Sequence, residues 1–236
     1  MDIGKAFTFV TEDEEWLVKL GIAAAVSFLS FLFLPVFLLV GYMVGVTRNV
    51  YSGTERPLPQ WDDVGRLFKD GILVSVGQFV YTLPVWILVC VGTVATVGFS
   101  GLEEFSAEAM TAAMGTTWAV LACLMAILLV ALFFISPAIF IQYVRHEEFG
   151  AMMRVGEVLG IARDNLVPII IAAVASFAAS LVLSFVVSAL NIIPCLGAIA
   201  GVLLGIMAGP WIMVAVGHMY GQIAGGDDKM KAPATF

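Results

Sequence analysis

The chain has 236 residues, of which 61% are hydrophobic and only 12% are charged. A typical soluble domain is nearer half apolar and a quarter charged, so this composition excludes a water-soluble fold. The formal net charge is -7, and Lys and Arg are collected in a few segments. That grouping indicates membrane topology rather than a nucleic-acid partner.

Four stretches contain no Asp, Glu, Lys or Arg, namely residues 20–47, 71–102, 109–144 and 165–226. A transmembrane helix needs about 20 apolar residues to cross roughly 30 Å of hydrocarbon, so the last stretch is long enough for two crossings. The sequence therefore predicts an all-α fold, a polytopic transmembrane helical bundle that forms a single membrane domain over residues 1–236. The predicted spans are residues 17–46, 71–98, 116–143, 167–191 and 196–223.

The cations that flank the spans predict the orientation. Arg and Lys are frequent in residues 47–70, in residues 144–165 and in the C-terminal tail, which the positive-inside rule places in the cytoplasm. Five crossings then place the N-terminus outside, in the cell membrane of a prokaryote. Alternatively, residues 17–46 form a re-entrant hairpin about Pro35, which brings the N-terminus and all 11 Lys and Arg residues inside. Two halves of about 15 residues are each too short to span a bilayer, which favours the single crossing.

Two cytoplasmic segments, residues 59–70 and 147–164, are predicted to lie in the membrane interface. In the first, Trp61, Val64 and Phe68 share one face of a helix, while charged residues occupy the other faces. In the second, apolar and charged residues alternate less regularly. The candidate surface for a cytoplasmic partner lies in the first segment and consists of Trp61, Asp62, Asp63 and Arg66.

Small residues recur at steps of four in the last two spans. They are Ser176, Ser180, Ser184 and Ser188 in the fourth span and Gly197, Gly201, Gly205 and Gly209 in the fifth. Residues four apart lie on nearly one face of a helix, and strips of small residues let helices pack closely in lipid while serine hydroxyls bond across. We therefore expect a tight antiparallel hairpin of these two spans; the alternative is that the strips line a permeation path. Further glycines with this spacing are Gly217, Gly221 and Gly225, which extend the series or dock a partner helix, and the pair Gly41 and Gly45.

Motifs for chemistry are scarce in this sequence. It has no HExxH, GxSxG, Walker or dinucleotide-binding pattern. The candidate intramembrane polar site consists of Gln78, Asn191 and His218, of which His218 is ionisable, although bonds between helices also account for these residues. We expect no catalytic residue, no metal site and no cofactor, and hence no enzyme.

The stretch from residue 41 to residue 71 carries a pattern that goes beyond composition. Its members are Gly41, Tyr42, Arg48, Asn49, Gly53, Leu58, Pro59, Trp61, Asp62 and Gly71. The pattern resembles an archaeal and bacterial family of small polytopic membrane proteins known only as a domain of unknown function, and the acidic opening at residues 13–21 is similar too. The resemblance implies a complete single-domain family member, and it implies no activity.

Abundant packing signals beside absent catalytic ones favour a noncatalytic membrane protein that works by binding, as a scaffold, assembly factor or accessory subunit in the bilayer. Its expected partners are membrane lipids and another membrane protein or a second copy of the chain, with no nucleic acid. The alternative is a permease or carrier for a lipid or a small apolar solute, which the small-residue strips and the helix-breaking prolines favour.

Overall fold

A computed structural model describes residues 1–100, 106–190, 192 and 196–231. Every regular element within those ranges is a helix, and five helices are long and apolar enough to cross a membrane. The predicted all-α polytopic bundle is therefore confirmed. The α-helices of the described ranges are α1 (Ile3–Thr8), α2 (Trp16–Phe28), α3 (Leu34–Tyr51), α4 (Val64–Ser100), α5 (Ala107–His146), α6 (Phe149–Met152), α7 (Val155–Asp164), α8 (Leu166–Leu190) and α9 (Leu196–Lys231).

The first predicted span, residues 17–46, is not one continuous helix. Helix α2 is followed by a short 3-10 helix, Leu29–Leu32. Phe33 then has a φ of 64°, a value that non-glycine residues rarely adopt. Pro35 lies in the first turn of α3, because a proline is tolerated at a helix start but lacks the N–H that a helix interior needs. The segment predicted to cross once is therefore two helices separated by a break, with Pro35 directly after the break.

Helices α2 and α3 run antiparallel, so the break at Phe33 is the tip of a hairpin. Leu20, near the start of α2, is buried in the same cluster as Tyr42 in the middle of α3. The backbone carbonyl of Lys19 accepts a hydrogen bond of 3.0 Å from Trp61 Nε1, which lies beyond the end of α3. The large apolar side chains of the tip are exposed. The re-entrant alternative for residues 17–46 requires a hairpin of this kind about Pro35.

The N-terminus and the C-terminal part of α9 lie at the same end of the bundle. The backbone N–H of Asp2 donates a 2.6 Å hydrogen bond to Gln222 Oε1 on α9. Arg56, which follows α3, donates to Glu14 Oε1 at 2.8 Å. We call this end, which also holds α6 and α7, the polar end, and the opposite end the far end. The sequence prediction put the two termini on opposite sides of the membrane, because it assumed that residues 17–46 cross once. The contact between Asp2 and Gln222 instead puts Asp2 beside the C-terminal part of α9.

The predicted interfacial segment at residues 59–70 is not a separate helix. Helix α4 begins at Val64 and continues for 37 residues, so it extends roughly 55 Å, well beyond the ~30 Å hydrocarbon core. Asp63 Oδ1 accepts a hydrogen bond of 3.0 Å from the backbone N–H of Arg66 and so caps the start of α4. The second interfacial segment, residues 147–164, folds into α6 and α7 at the polar end.

Helix α3 lies between α4 and α9 and approaches both at backbone distance. A Cβ on Gly41 would overlap the backbone carbonyl of Leu67 on α4, and a Cβ on Gly71 of α4 would overlap the carbonyl of Phe37 on α3. In lipid, helices associate through close van der Waals packing, which glycine permits because it has no side chain. These two glycines therefore fix α3 against α4.

The contact between α3 and α9 also depends on glycine. A Cβ on Gly221 would come within 2.7 Å of the carbonyl oxygen of Thr47, and one on Gly217 within 3.0 Å of that of Met43. A Cβ on Gly205 or Gly209 would meet no atom within 4 Å. The close packing of α9 on α3 is thus nearer the polar end than Gly205 and Gly209 of the predicted glycine strip.

Two helical hairpins, α4–α5 and α8–α9, extend from this centre towards the far end. Helix α8 packs mainly on α9, and α5 makes a smaller contact with α9. The main buried cluster includes Val44, Val74, Ile139, Ile141, Met152 and Ile223 and joins the hairpins near the polar end. Towards the far end, both hairpins expose large apolar side chains.

Replacing Gly71 by alanine should destabilise the fold, because the added methyl group meets the backbone of α3. That backbone is part of a helix and cannot move aside as a flexible side chain could. We expect a loss of about 2–3 kcal/mol, at the upper part of the range for overpacking. The matched control is Gly209→Ala, whose methyl group enters open space. Thermal unfolding in mild detergent measures both variants, and an equal unfolding temperature for the two would contradict the assignment.

Candidate functional site

A cluster of charged side chains, the Asp70 cluster, joins three helices at the polar end. It consists of Arg48, Arg66, Asp70, Tyr143 and Glu147. Arg48 Nη2 donates to Asp70 Oδ2 at 2.8 Å, and Tyr143 OH donates to Asp70 Oδ1 at 2.6 Å. Arg48 Nε lies 2.6 Å from Glu147 Oε1, which Arg66 also contacts at 3.2 Å. The two positive and two negative charges balance.

Asp70 is the most deeply buried charge of this cluster, and its burial explains why it needs partners. Its side chain is 6% exposed, and that of Arg48 is 16% exposed. A buried charge without a partner is costly, whereas a paired and hydrogen-bonded one is tolerated. Asp70 therefore ties α4 to α3 through Arg48 and to α5 through Tyr143. The arrangement stabilises helix contacts.

A second buried ion pair, Asp13 with Lys19, holds residues 1–19, which we call the N-terminal segment. Lys19 Nζ lies 2.7 Å from Asp13 Oδ2 and also donates to the backbone carbonyl of Leu58 at 3.4 Å. Burial alone raises the pKa of the Asp13 carboxyl, but the hydrogen bonds from Lys19 and from the Glu15 backbone, with the charges of Lys19 and Arg56, outweigh it. The pKa of Asp13 therefore lies below its ordinary value, so its carboxylate is charged at neutral pH.

The predicted partner surface is divided by the fold. Trp61 stacks on Tyr42 with ring centroids 4.6 Å apart, and its Nε1 is bonded to the chain at Lys19. Arg66 belongs to the Asp70 cluster. Asp62 and Asp63 remain exposed. Arg66 is exposed as well, so the fold separates only the half-buried Trp61 from the other three residues.

No hydrogen bond joins Gln78 and His218, the two described members of the candidate intramembrane polar site. His218 is buried, stacks on Phe9 with centroids 4.4 Å apart, and has Nδ1 3.0 Å from Gln222 Nε2. Gln78 is half-buried on α4. Asn191 lies outside the described residues. His218 thus packs the N-terminal segment against α9.

The serine strip bonds within its own helix. Ser176 Oγ donates to the carbonyl of Ala172 at 2.6 Å, and Ser180 Oγ donates to that of Ser176 at 2.9 Å. A helical serine reaches the carbonyl one turn back, and that bond uses its single hydroxyl proton. Ser184 and Ser188 are exposed. The predicted bonds across to α9 are therefore not made by Ser176 and Ser180, while Gly197 and Gly201 are buried as close packing requires.

An open concave surface of about 1010 Å³ lies between α8 and α9, and we call it the α8–α9 groove. All of its lining side chains are apolar. On α8 they include Ala175, Ala178 and Val182, and on α9 they include Leu204, Ala208 and Trp211. Sequence reasoning did not find this groove. The signal was the alanines between the serines of α8, because they show that small side chains also occur on faces of α8 other than the serine strip.

The N-terminal segment closes the groove towards the polar end. Ile3, Phe7 and Trp16 line it there. Trp211 Nε1 donates to the carbonyl of Phe7 at 3.2 Å, and the rings of Trp16 and Trp211 meet edge to face at 5.5 Å. The segment Ile3–Glu12 is bent by 104° from the following helical segment, so it lies across the direction of α2.

In the ranges that the structure describes, no group of three or more His, Cys, Asp or Glu side chains could hold a metal ion.

The long apolar helices and the buried ion pairs at one end define a helical polytopic membrane protein. The chain belongs to the family described as a protein of unknown function (DUF4013), whose family model matches residues 25–192. No curated protein and no solved structure matches the chain. The family match covers α3 to α8, including the stretch from residue 41 to residue 71.

Substituting Asp70 by asparagine should strongly destabilise the bundle, because Arg48 loses its buried counterion and retains only the half-exposed Glu147. We expect a loss of about 3–5 kcal/mol, the cost of breaking a buried pair. Glu14→Gln is the control, since it removes an ion pair whose two side chains are both exposed and such pairs contribute little. Unfolding temperatures in detergent decide the matter; a small loss for Asp70→Asn would show that the cluster does not hold the helices.

Proposed function

We propose that the protein is noncatalytic and works by binding within the bilayer, as a scaffold, assembly factor or accessory subunit. One observation carries this proposal: the charged side chains that are buried among the described residues, Asp13, Lys19 and Asp70, all take part in ion pairs that join chain segments. A catalytic group needs a free face towards its substrate. The buried charges of this chain are used for holding it together.

The far halves of the two hairpins support a role in binding. Val94 on α4, Ile127 on α5 and Phe185 on α8 are each at least two-thirds exposed, at 71%, 67% and 77%. Helix surfaces of this kind contact either lipid or the helices of another membrane protein. A rigid centre with two projecting hairpins suits a subunit that docks partner helices.

We place the protein in the cell membrane of a prokaryote with the polar end in the cytoplasm. All 11 Lys and Arg residues lie in segments at that end: the N-terminal segment, the chain from the end of α3 to the start of α4, the chain from the end of α5 to α7, and the end of α9. The positive-inside rule assigns such an end to the cytoplasm. Helices α4, α5, α8 and α9 then cross the membrane, and the hairpin α2–α3 enters it and returns.

Cysteine labelling tests this topology. In a background without the native cysteines, Glu12→Cys should be protected from a membrane-impermeant thiol reagent in intact cells, and Glu108→Cys should be labelled. Both residues are exposed, so the side of the membrane decides the result. After lysis both should react. Labelling of Glu12→Cys in intact cells would restore the single crossing.

Purification in mild detergent tests the proposed role. The full-length chain should elute together with another membrane protein or with a second copy of itself, because its apolar helix surfaces are expected to be covered by helices. Mass photometry and denaturing gels give the stoichiometry. A chain that always elutes alone would contradict the scaffold role. Such a result, with lipid still bound, would favour a carrier for a lipid or an apolar solute, the second candidate that the α8–α9 groove supports.

A further inference from the structure

We infer that the α8–α9 groove binds one hydrocarbon chain of a bilayer lipid, with the N-terminal segment as its floor. The inference rests on the proposed function, since it names one class of ligand that such a binding protein takes. Its basis is the juxtaposition of an all-apolar groove between two spans with Ile3, Phe7 and Trp16 at one end.

The lining determines the chemistry of the occupant. A polar group buried without a hydrogen bond is costly, and all of the side chains that line this groove are apolar. The occupant is therefore uncharged and apolar along the whole groove. Inside a bilayer, the gain comes from van der Waals contact with the walls. A chain between α8 and α9 touches protein on both sides, which a chain in bulk lipid does not.

The dimensions of the groove favour a lipid chain over a helix. Ile170 and Val186 line it on α8 and are 16 residues apart, so its length is roughly 24 Å. A helix of that length and about 10 Å in diameter occupies roughly 1,900 Å³, nearly twice the volume of about 1010 Å³ that is present. A helix would lie on the groove, whereas a single chain lies within it.

The closed end of the groove suits a hydrocarbon chain better than a spanning helix. Trp211 is bonded to Phe7 and packed on Trp16, while Asp2 is bonded to Gln222, so the N-terminal segment is held in place across the polar end of the groove. A spanning helix has to continue past this floor to leave the membrane. A hydrocarbon chain needs no such continuation and ends at the floor.

Filling the groove tests the inference. The probe is a mixture of phosphatidylcholine and phosphatidylglycerol added to the full-length protein in mild detergent, and native mass spectrometry counts the retained lipids. Wild type should keep one lipid per chain, and Ala178→Phe should keep it with an affinity reduced at least about tenfold, since the phenyl ring displaces several methylene groups. Ala126→Phe is the control, because Ala126 is an exposed alanine of α5 outside the groove.

A second variant protects the test against misfolding. Ala208→Leu narrows the groove from the opposite wall with a smaller side chain, and it should also lower lipid retention. Equal retention in wild type and both groove variants, an equal loss in Ala126→Phe, or no retained lipid in wild type would each overturn the inference.

The outcome for the proposed function is separate. If Ala178→Phe releases a co-purifying membrane protein but no lipid, the groove takes a helix, and the binding role stands while this inference fails. If Ala178→Phe and Ala208→Leu release lipid from a chain that never has a protein partner, the inference stands and the scaffold role fails.

Discussion

The backbone approach of α3 to α4 and α9 is the constraint on which the rest of the structure depends. Lipid supplies no hydrophobic force that drives helices together, so helices associate where their surfaces fit most closely. Gly41 and Gly71 provide that fit on one side of α3, and Gly217 and Gly221 provide it on the other. With α3 held between two long helices, the chain before it reverses at Phe33 and returns to the polar end.

The buried ion pairs act on the same end of the molecule. Asp70 connects α4 with both α3 and α5, and Lys19 connects the start of α2 with Asp13 and Leu58. Such pairs need their partners, because a single charge in that environment is poorly solvated. The polar end is thereby fixed, while the hairpins beyond it have apolar surfaces and a groove. This division between a fixed end and open apolar faces is what the proposed binding role depends on.

The stretch from residue 41 to residue 71 contains several of the contacts that build this end. Tyr42 stacks on Trp61, and Asn49 Nδ2 donates to the carbonyl of Pro57 at 3.0 Å. Gly53 has a φ of 75°, which only glycine adopts without strain. The residues singled out in the sequence there thus have structural roles, and the shared pattern describes how the chain turns from α3 into α4.

The sequence by itself determined the class of protein, because charge-free stretches of sufficient length have no other stable environment than lipid. It also placed the cations beside the spans. Only the tertiary structure decided that residues 17–46 form a hairpin, since their length favoured a single crossing and was compatible with a reversal about Pro35. Likewise, a four-residue spacing shows that Gly205 and Gly221 lie on strips of small residues. It does not show that Gly221 meets α3 while Gly205 does not. Periodicity is local, whereas the partner of a helix face comes from distant segments, as Asp70 and Tyr143 show.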